Sequence, residues 1–334
     1  MTPQLLEYLC DPLDKSPLEL CDAQHADDGR IVSGQLKSAS GRSYPIRNGI
    51  PRFTGTGEQA HVVSFGDEWN YFNFDDFRVN WTQYSIRNTF GSLDEFRGKL
   101  VVDAGAGSGI QSRWISEAGA THVISLELSH AVDDVITRNL AGVANVDVIQ
   151  CSIDQPPLRD GSIAGIVLCH NVIQHTRSVE GTARALWRLV ASGGEFVFNC
   201  YPQNDEGIVR KTRLALYSAL RSFMVRRSFR FRLNYARIMG AVRLVPLLGW
   251  FLEKSLVVIR GVVPPGPGYW RRAYKSAVLN TFDCYGAHTY QHMKFDAEIR
   301  SLVVELQPDA TKVLNADRYF MRPPPIGIAL RIKR

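Results

Sequence analysis

Apolar positions follow different rhythms along the chain. Between residues 99 and 201, short apolar runs alternate with amphipathic stretches. The runs are "KLVVDAG", "HVISLEL", "VDVIQCS", "IAGIVLCHN" and "GEFVFNC"; between them stand "IQSRWISEAG", "AVDDVITRNLAG" and "VEGTARALWRLVASGG". Strand-length runs separated by helical periods predict an α/β fold with a doubly wound parallel sheet. The pattern resumes in 281–334 with a helix, "FDAEIRSLVVEL", and two more runs, "TKVLNADRYF" and "IGIALRIKR". The Pro-rich stretch joining these last two is too short for a helical crossover, so they are expected to pair antiparallel.

Residues 1–56 read as a small separate β-rich module that closes on a strand pair in "GRSYPIRNGIPRF". Residues 57–98 are aromatic and polar ("SFGDEWNYFNFDDFRVNW", "SLDEFRGK"), which predicts short helices ahead of the core. Residues 202–280 break the alternation. Leu214, Tyr217, Leu220 and Met224 fall at helical spacing there, with arginines filling much of the rest, so a basic helical insert is expected.

Charge sharpens that picture. The net charge is +6, yet 208–275 holds 15 Lys and Arg against one acid, Glu253, and the remainder of the chain sums to −8. Three readings fit the insert: a helical cap over an active site, a surface lying on an anionic membrane, or a phosphate-binding face for nucleic acid. Apolar runs such as "LVPLLGWFL" favour the first two, and this much positive charge suits an anionic or amphipathic substrate. The six cysteines form no CxxC pair and are expected to be reduced thiols. The opening "MTPQLLEYLCDPLDK" lacks a signal-peptide pattern, and no apolar run reaches the ~20 residues of a spanning helix. The expected location is cytoplasmic, peripheral to the membrane under the second reading.

"VVDAGAGSG" (101–109) carries the candidate chemistry. It has no Lys for a phosphate-gripping loop, and its spacing is GxGxG rather than the dinucleotide GxGxxG. Asp103, two residues before the first glycine, suits a ligand bearing an ammonium or sulfonium. Glu127 ends the next strand, where a carboxylate can accept both hydroxyls of a ribose.

These residues resemble the class I S-adenosylmethionine-dependent methyltransferases of small-molecule type, over roughly 60–200 and the closing strand pair. The resemblance implies a Rossmann-like seven-stranded sheet, S-adenosylmethionine as cofactor and S-adenosylhomocysteine as product. It implies that Asp103, Ala104, Gly105, Ala106 and Gly107 hold the amino-acid end, that Glu127 binds the ribose and that Leu128 lies along the adenine. "CSIDQPPLRDGSI" is similar to the family's segment after the third strand. Ser152 stands where an acid would take the adenine amino proton, Asp154 is a substitute, and Ile153 is expected near the ring. "SFGDEW" resembles a segment folded over the cofactor, which makes Phe65 and Trp69 either a lid or plain core aromatics.

Methyl transfer needs an aligned nucleophile and a group to take its proton. In "LCHNVIQHTRS", His170 and Asn171 are expected at a strand end near the methionine portion, and His175 is the candidate general base. "NTFDCYGAHTYQHMKFD" gathers Asp283, Tyr285, His288, Tyr290 and His292 and is similar to an active-site wall. Asp283 and Tyr285 are candidate catalytic residues. Tyr285, Tyr290 and His292 join His175 as candidate substrate contacts, and a solvated surface loop is the alternative.

The front module resembles the zinc ribbon of the proteins that activate tRNA and protein methyltransferases. Cys10 is at a ligand position, but Asp14, Lys37 and Ser40 stand at the others, and Cys21 with His25 fits no common site, so no metal is expected. Leu5, Leu9, Leu18, Tyr44, Ile46 and Ile50 are expected to hold the module, for packing on the catalytic domain or docking a partner. The expected function is methylation of a small metabolite, a glycan or lipid-linked intermediate included. An RNA (tRNA) methyltransferase and a non-catalytic scaffold are the alternatives.

Overall fold

The computed structural model describes residues 1–55, 62–86, 90–203, 207–261, 263, 265–286, 288–314 and 328–334; the Pro-rich stretch before the last strand lies outside them. The chain divides into two compact units. Met1–Asn70, Arg87–Pro202 and Tyr290–Arg334 form the first; Tyr71–Ile86 and Gln203–Thr289 form the second.

The first unit opens with an antiparallel meander, β1 (Leu18–His25), β2 (Ile31–Ser38), β3 (Ser43–Arg47) and β4 (Ile50–Pro51). Asn48 and Gly49 join the last pair at φ 52° and 72°, the two positive values that a tight two-residue hairpin of this hand requires. Helix α1 (Val63–Tyr71) follows. The main sheet takes β5 (Leu100–Ala104), β6 (His122–Glu127), β7 (Val146–Gln150), β8 (Ile166–Cys169), β9 (Glu195–Pro202), β10 (Met293–Lys294), β11 (Ala310–Val313) and β12 (Ile328–Lys333). Its order is β11-β12-β9-β8-β5-β6-β7, with β10 beside β9. Strands β5 to β9 run parallel, and β12 is antiparallel to both β9 and β11. β6, β7 and β8 are buried along their whole lengths, which is why they read as runs rather than alternations. None of the six cysteines is in a disulfide.

Helices α2 (Ile110–Glu117), α3 (Val135–Asn139) and α4 (Val179–Leu189) connect the strands. The second unit is built from α5 (Ile208–Met224), α6 (Phe229–Val242), α7 (Leu248–Lys254) and α8 (Tyr269–Cys284), and α9 (Asp296–Leu306) returns to the first. Helix α8 runs through the boundary expected at 280. In the second unit, Leu233 and Ala236 of α6 cluster with Val278 and Phe282 of α8. A Cβ on Gly240 would lie 2.8 Å from Val278 Cγ2, so the helices need a glycine where they cross. Residues 71–86 join this unit, with Phe72 5.6 Å from Phe282.

The sequence suggested a separate front module, but Met1–Asn70 falls in one compact unit with the main sheet. Leu5, Leu9, Ile31, Leu36, Ile46 and Phe53 share one hydrophobic cluster with Val102, Ile124, Ile149 and Phe198 of the main sheet. Backbone bonds reinforce this: Phe53 N donates to Gln150 O (2.8 Å) and Cys10 N to Pro157 O (3.0 Å). The meander itself is cross-linked by Arg42. Its Nε donates to the fully buried Asp11 (2.7 Å), and its far nitrogen bonds to Asp14. Asp11 also accepts from Leu13 N (2.9 Å) and Tyr44 OH (3.1 Å). Burial pushes the Asp11 carboxyl up, but the bonds from Arg42, Leu13 and Tyr44 outweigh it and hold it below the usual carboxylate range.

Asp11→Ala is expected to destabilise the protein by about 2 kcal/mol at neutral pH, measured by urea unfolding. A carboxyl lowered in the folded state stabilises above its unfolded pKa of about 3.9 and loses that contribution as pH falls further. The difference between variant and parent should therefore shrink in acid.

Candidate functional site

The carboxyl ends of β5, β6 and β8 come together on one edge of the parallel sheet, where α/β sheets hold ligands. The chain leaves β5 through the glycine turn. Gly105 N and Ala106 N both donate to Leu126 O (2.8 and 2.9 Å), tying the turn to β6. Gly105 (φ 88°), Gly107 (φ 58°) and Gly109 (φ 74°) all take left-handed conformations, and Gly109 caps α2. Space matters as much as conformation: a Cβ on Gly105 would meet Val172 Cγ1 at 2.5 Å, and one on Gly107 would meet the Trp69 indole at 3.0 Å.

Two buried carboxylates flank the turn. Glu127 accepts from Gly107 N and Ser129 N, both at 2.8 Å. Asp103 accepts from Ser112 Oγ (2.6 Å) and Gln111 Nε2 (2.8 Å), with Ser125 Oγ donating on to Ser112 Oγ (2.8 Å). Burial raises Asp103 to about 6 against the Ser112 and Gln111 bonds, and the nearby Glu127 charge adds to the rise. Burial also raises Glu127, opposed by its bonds from Ser129 and Gly107.

Helix α1 crosses this edge. Trp69 packs on Gly107, Gly66 lies against the His130 ring, Asp67 is 3.4 Å from His130 Nε2, and Asn70 Oδ1 accepts from Val135 N (3.2 Å). Phe65 sets its ring edge-on to His175, centroids 4.9 Å apart.

Beyond β8, burial holds His170 down at about 4, so its imidazole is neutral at physiological pH. Asn171 (φ 59°) and Asn199 bond reciprocally: Asn171 N to Asn199 Oδ1 at 2.7 Å, and Asn199 Nδ2 to Asn171 Oδ1 at 2.6 Å. His175 sits in the short 3-10 turn Ile173–His175, with Nδ1 3.0 Å from Tyr290 O. A carbonyl only accepts, so Nδ1 carries the proton, and the neutral ring has its lone pair on Nε2. Tyr201 lies edge-on to the ring at 5.6 Å. The segment that supplies Tyr290 is pinned by His292, whose N donates to Gln174 O (2.8 Å) and whose Nε2 is 3.0 Å from Thr176 O.

The structure thus brings Asp103, Ala104, Gly105, Ala106, Gly107, Glu127, His170, His175, Phe65 and Trp69 to one region, with Leu128 following Glu127 directly. The other expected residues have these surroundings. Ile153 is 7% exposed, a member of the hydrophobic cluster under the sheet. Ser152 Oγ accepts from Asp154 N (3.3 Å), and the Asp154 carboxylate accepts from the Thr182 hydroxyl. His292 secures a loop, and its ring stacks with Tyr290. Asp283 and Tyr285 belong to the second unit: Tyr285 is buried with its hydroxyl donated to Leu256 O, and the Asp283 carbonyl accepts from His288 Nε2 at 2.8 Å. Ser112, Val172 and Asn199 escaped the sequence reading. The one available signal was Asn199, an amide inside the apolar run "GEFVFNC".

Residues 102–198 match the methyltransferase domain family. The ubiquinone biosynthesis O-methyltransferase of Ralstonia nicotianae is 30% identical over 129 residues, 38% of this chain and 50% of that protein. The enzyme of the same name from Erwinia tasmaniensis is 25% identical over 130 residues, 39% of this chain and 50% of that one. The chain spans about half the length of the curated relatives it matches. A solved structure of magnesium protoporphyrin IX methyltransferase from Synechocystis with bound SAH is 16% identical, with a TM-score of 0.43 over 83% of this chain and 98% of that one.

Gly105→Ala is expected to destabilise the protein by about 3 kcal/mol, from the left-handed conformation and the contact with Val172 together. Combining it with Val172→Ala should relieve the contact but not the conformation. In a double-mutant cycle from thermal unfolding, the combined loss should fall short of the summed single losses by about 1 kcal/mol.

Proposed function

We propose that the first unit binds S-adenosylmethionine at the glycine turn and transfers its methyl group to a hydroxyl of a small amphipathic molecule, with His175 as general base. The observation that carries this reading is the gathering of the left-handed glycine turn, the buried Glu127 and the oriented His175 along one sheet edge under α1. The match of 102–198 to a methyltransferase domain supports it. The names of the relatives support a hydroxyl acceptor.

The residues present fit the cofactor. Glu127 accepts from the Gly107 and Ser129 amides at the end of β6, and its carboxylate stands beside the glycine turn as the acceptor for a ribose diol. Gly107 presents no side chain, so a ligand can approach the turn once the Trp69 ring yields its place. In this reading Phe65 and Trp69 are the lid, and Leu128 and Ser152 border the adenine. The cofactor supplies a methyl carbon on a positively charged sulfur. Asp103 provides a negative charge behind the turn to complement the ligand's cationic end. His170, held neutral, adds no repulsion. His175 takes the acceptor's proton at Nε2 while Tyr290 O keeps the ring in register. We further propose that the front module is a metal-free ribbon in which Arg42 joins the two halves.

Titration calorimetry with S-adenosylmethionine and S-adenosylhomocysteine tests the reading. Both should bind, and Glu127→Ala should weaken both at least about tenfold, the equivalent of one lost charged hydrogen bond. Binding of neither ligand to the parent protein would leave a scaffold as the better account.

Asp103 gives the pH dependence. Its pKa is raised on folding, so its stabilising contribution is complete below about 3.9 and lost as pH rises through about 6. Asp103→Asn should therefore raise the Tm of ligand-free protein at pH 8 while weakening S-adenosylmethionine. In the parent, affinity should decline as pH falls below 6. His175→Ala should lower kcat about 100-fold with cofactor affinity unchanged; full turnover would remove His175 from the chemistry.

A further inference from the structure

In the second unit, two helices display apolar stripes to solvent in addition to the faces they bury. On α5, Val209 (68% exposed), Leu216 (46%) and Phe223 (45%) recur every seven residues; on α6, Phe231 (44%) and Ile238 (58%) do the same. Seven residues is close to two helical turns, so each set lies along one face. The buried face of α6, with Leu233 and Ala236, is already used against α8, so the exposed stripe is a separate surface. The two stripes meet at Phe223 and Phe231, whose rings are 6.2 Å apart, and the Arg227 guanidinium lies 4.1 Å above Phe223. After α6 come Leu247 (83% exposed) and Trp250 (62%). Apolar side chains repeated in this way along two adjoining helices are not the isolated exposed residues that any surface carries.

The surrounding charge selects the occupant. Lys211, Arg226, Arg230, Arg237 and Lys254 are exposed, and Glu253, the one acid in 208–275, is paired with Arg243 at 2.6 Å. A second copy would set +14 against +14 and meet repulsion. Nucleic acid would satisfy the arginines, and Phe223, Phe231 and Trp250 offer rings for base stacking, but Val209, Leu216, Ile238 and Leu247 would remain exposed to water. A bilayer with anionic headgroups satisfies both features at once. Apolar side chains enter the acyl boundary, and guanidinium and ammonium groups remain with the phosphates. Among the described residues no helix is long and apolar enough to cross a membrane, so this would be surface attachment.

We propose that the α5–α6 face of the second unit, with the turn that follows it, docks on an anionic lipid surface. The test is co-sedimentation of the full chain with vesicles of phosphatidylcholine alone and of phosphatidylcholine mixed with phosphatidylglycerol. Partition into the anionic vesicles should exceed that into neutral ones by at least about tenfold and fall as salt is added. The double variant Leu216→Asn/Ile238→Asn alters only exposed positions, which circular dichroism and Tm should confirm. It should lose about tenfold in partition. Failure to sediment with anionic vesicles would overturn the proposal, as would an unchanged double variant. So would sedimentation velocity showing a dimer that the double variant dissolves, or RNA oligonucleotide binding in place of vesicle binding. No turnover is read, so the outcome stands apart from that of the methyltransferase reading.

Discussion

The carboxylate of Glu127 is buried at the end of β6, and a buried carboxylate is costly unless donors surround it. Its donors are the amides of Gly107 and Ser129, so one side chain draws together the turn after β5 and the turn after β6. Gly107 presents its amide from a left-handed backbone (φ 58°) and Ser129 from an extended one. Val172 and Trp69 then fill the space that the missing side chains leave. The arrangement is held by hydrogen bonds within the chain.

The same edge has an electrostatic bias. Asp103 and Glu127 are both buried and both raised, while His170 is kept from protonating. Burial makes two negative charges unfavourable side by side, and a cationic ligand would relieve that. Affinity for a positive group and stability of the ligand-free protein are then opposed at these residues, a common relation at binding sites.

What could be read along the chain was what local pattern determines. Strands β5 to β9, the glycine turn and Glu127 announce themselves because burial on both faces and a left-handed turn constrain neighbours in sequence. What depends on distant residues was hidden. The surroundings of Ile153 and Tyr285 come from distant parts of the chain: the core cluster for one, Leu256, Tyr217 and Tyr235 for the other. Ser112 gives no sign in sequence that it supports Asp103, because that contact exists only once α2 lies on β5. The front module reads as a domain because its strand pattern is complete. Its shared core with the sheet is a tertiary fact that the pattern of a meander does not carry.

Arg42 ties the chain ahead of β1 to the turn between β2 and β3. A ribbon closed by thiolates and a metal is a reporter on its surroundings, since chelators, zinc scarcity or oxidants open it. A closure made from a guanidinium and two carboxylates uses only groups encoded in the chain, and the Arg42 bond helps hold Asp11 below the usual carboxylate range. The Asp11–Arg42 bond itself needs neither a metal nor a thiol, and it joins residues 31 apart in the chain.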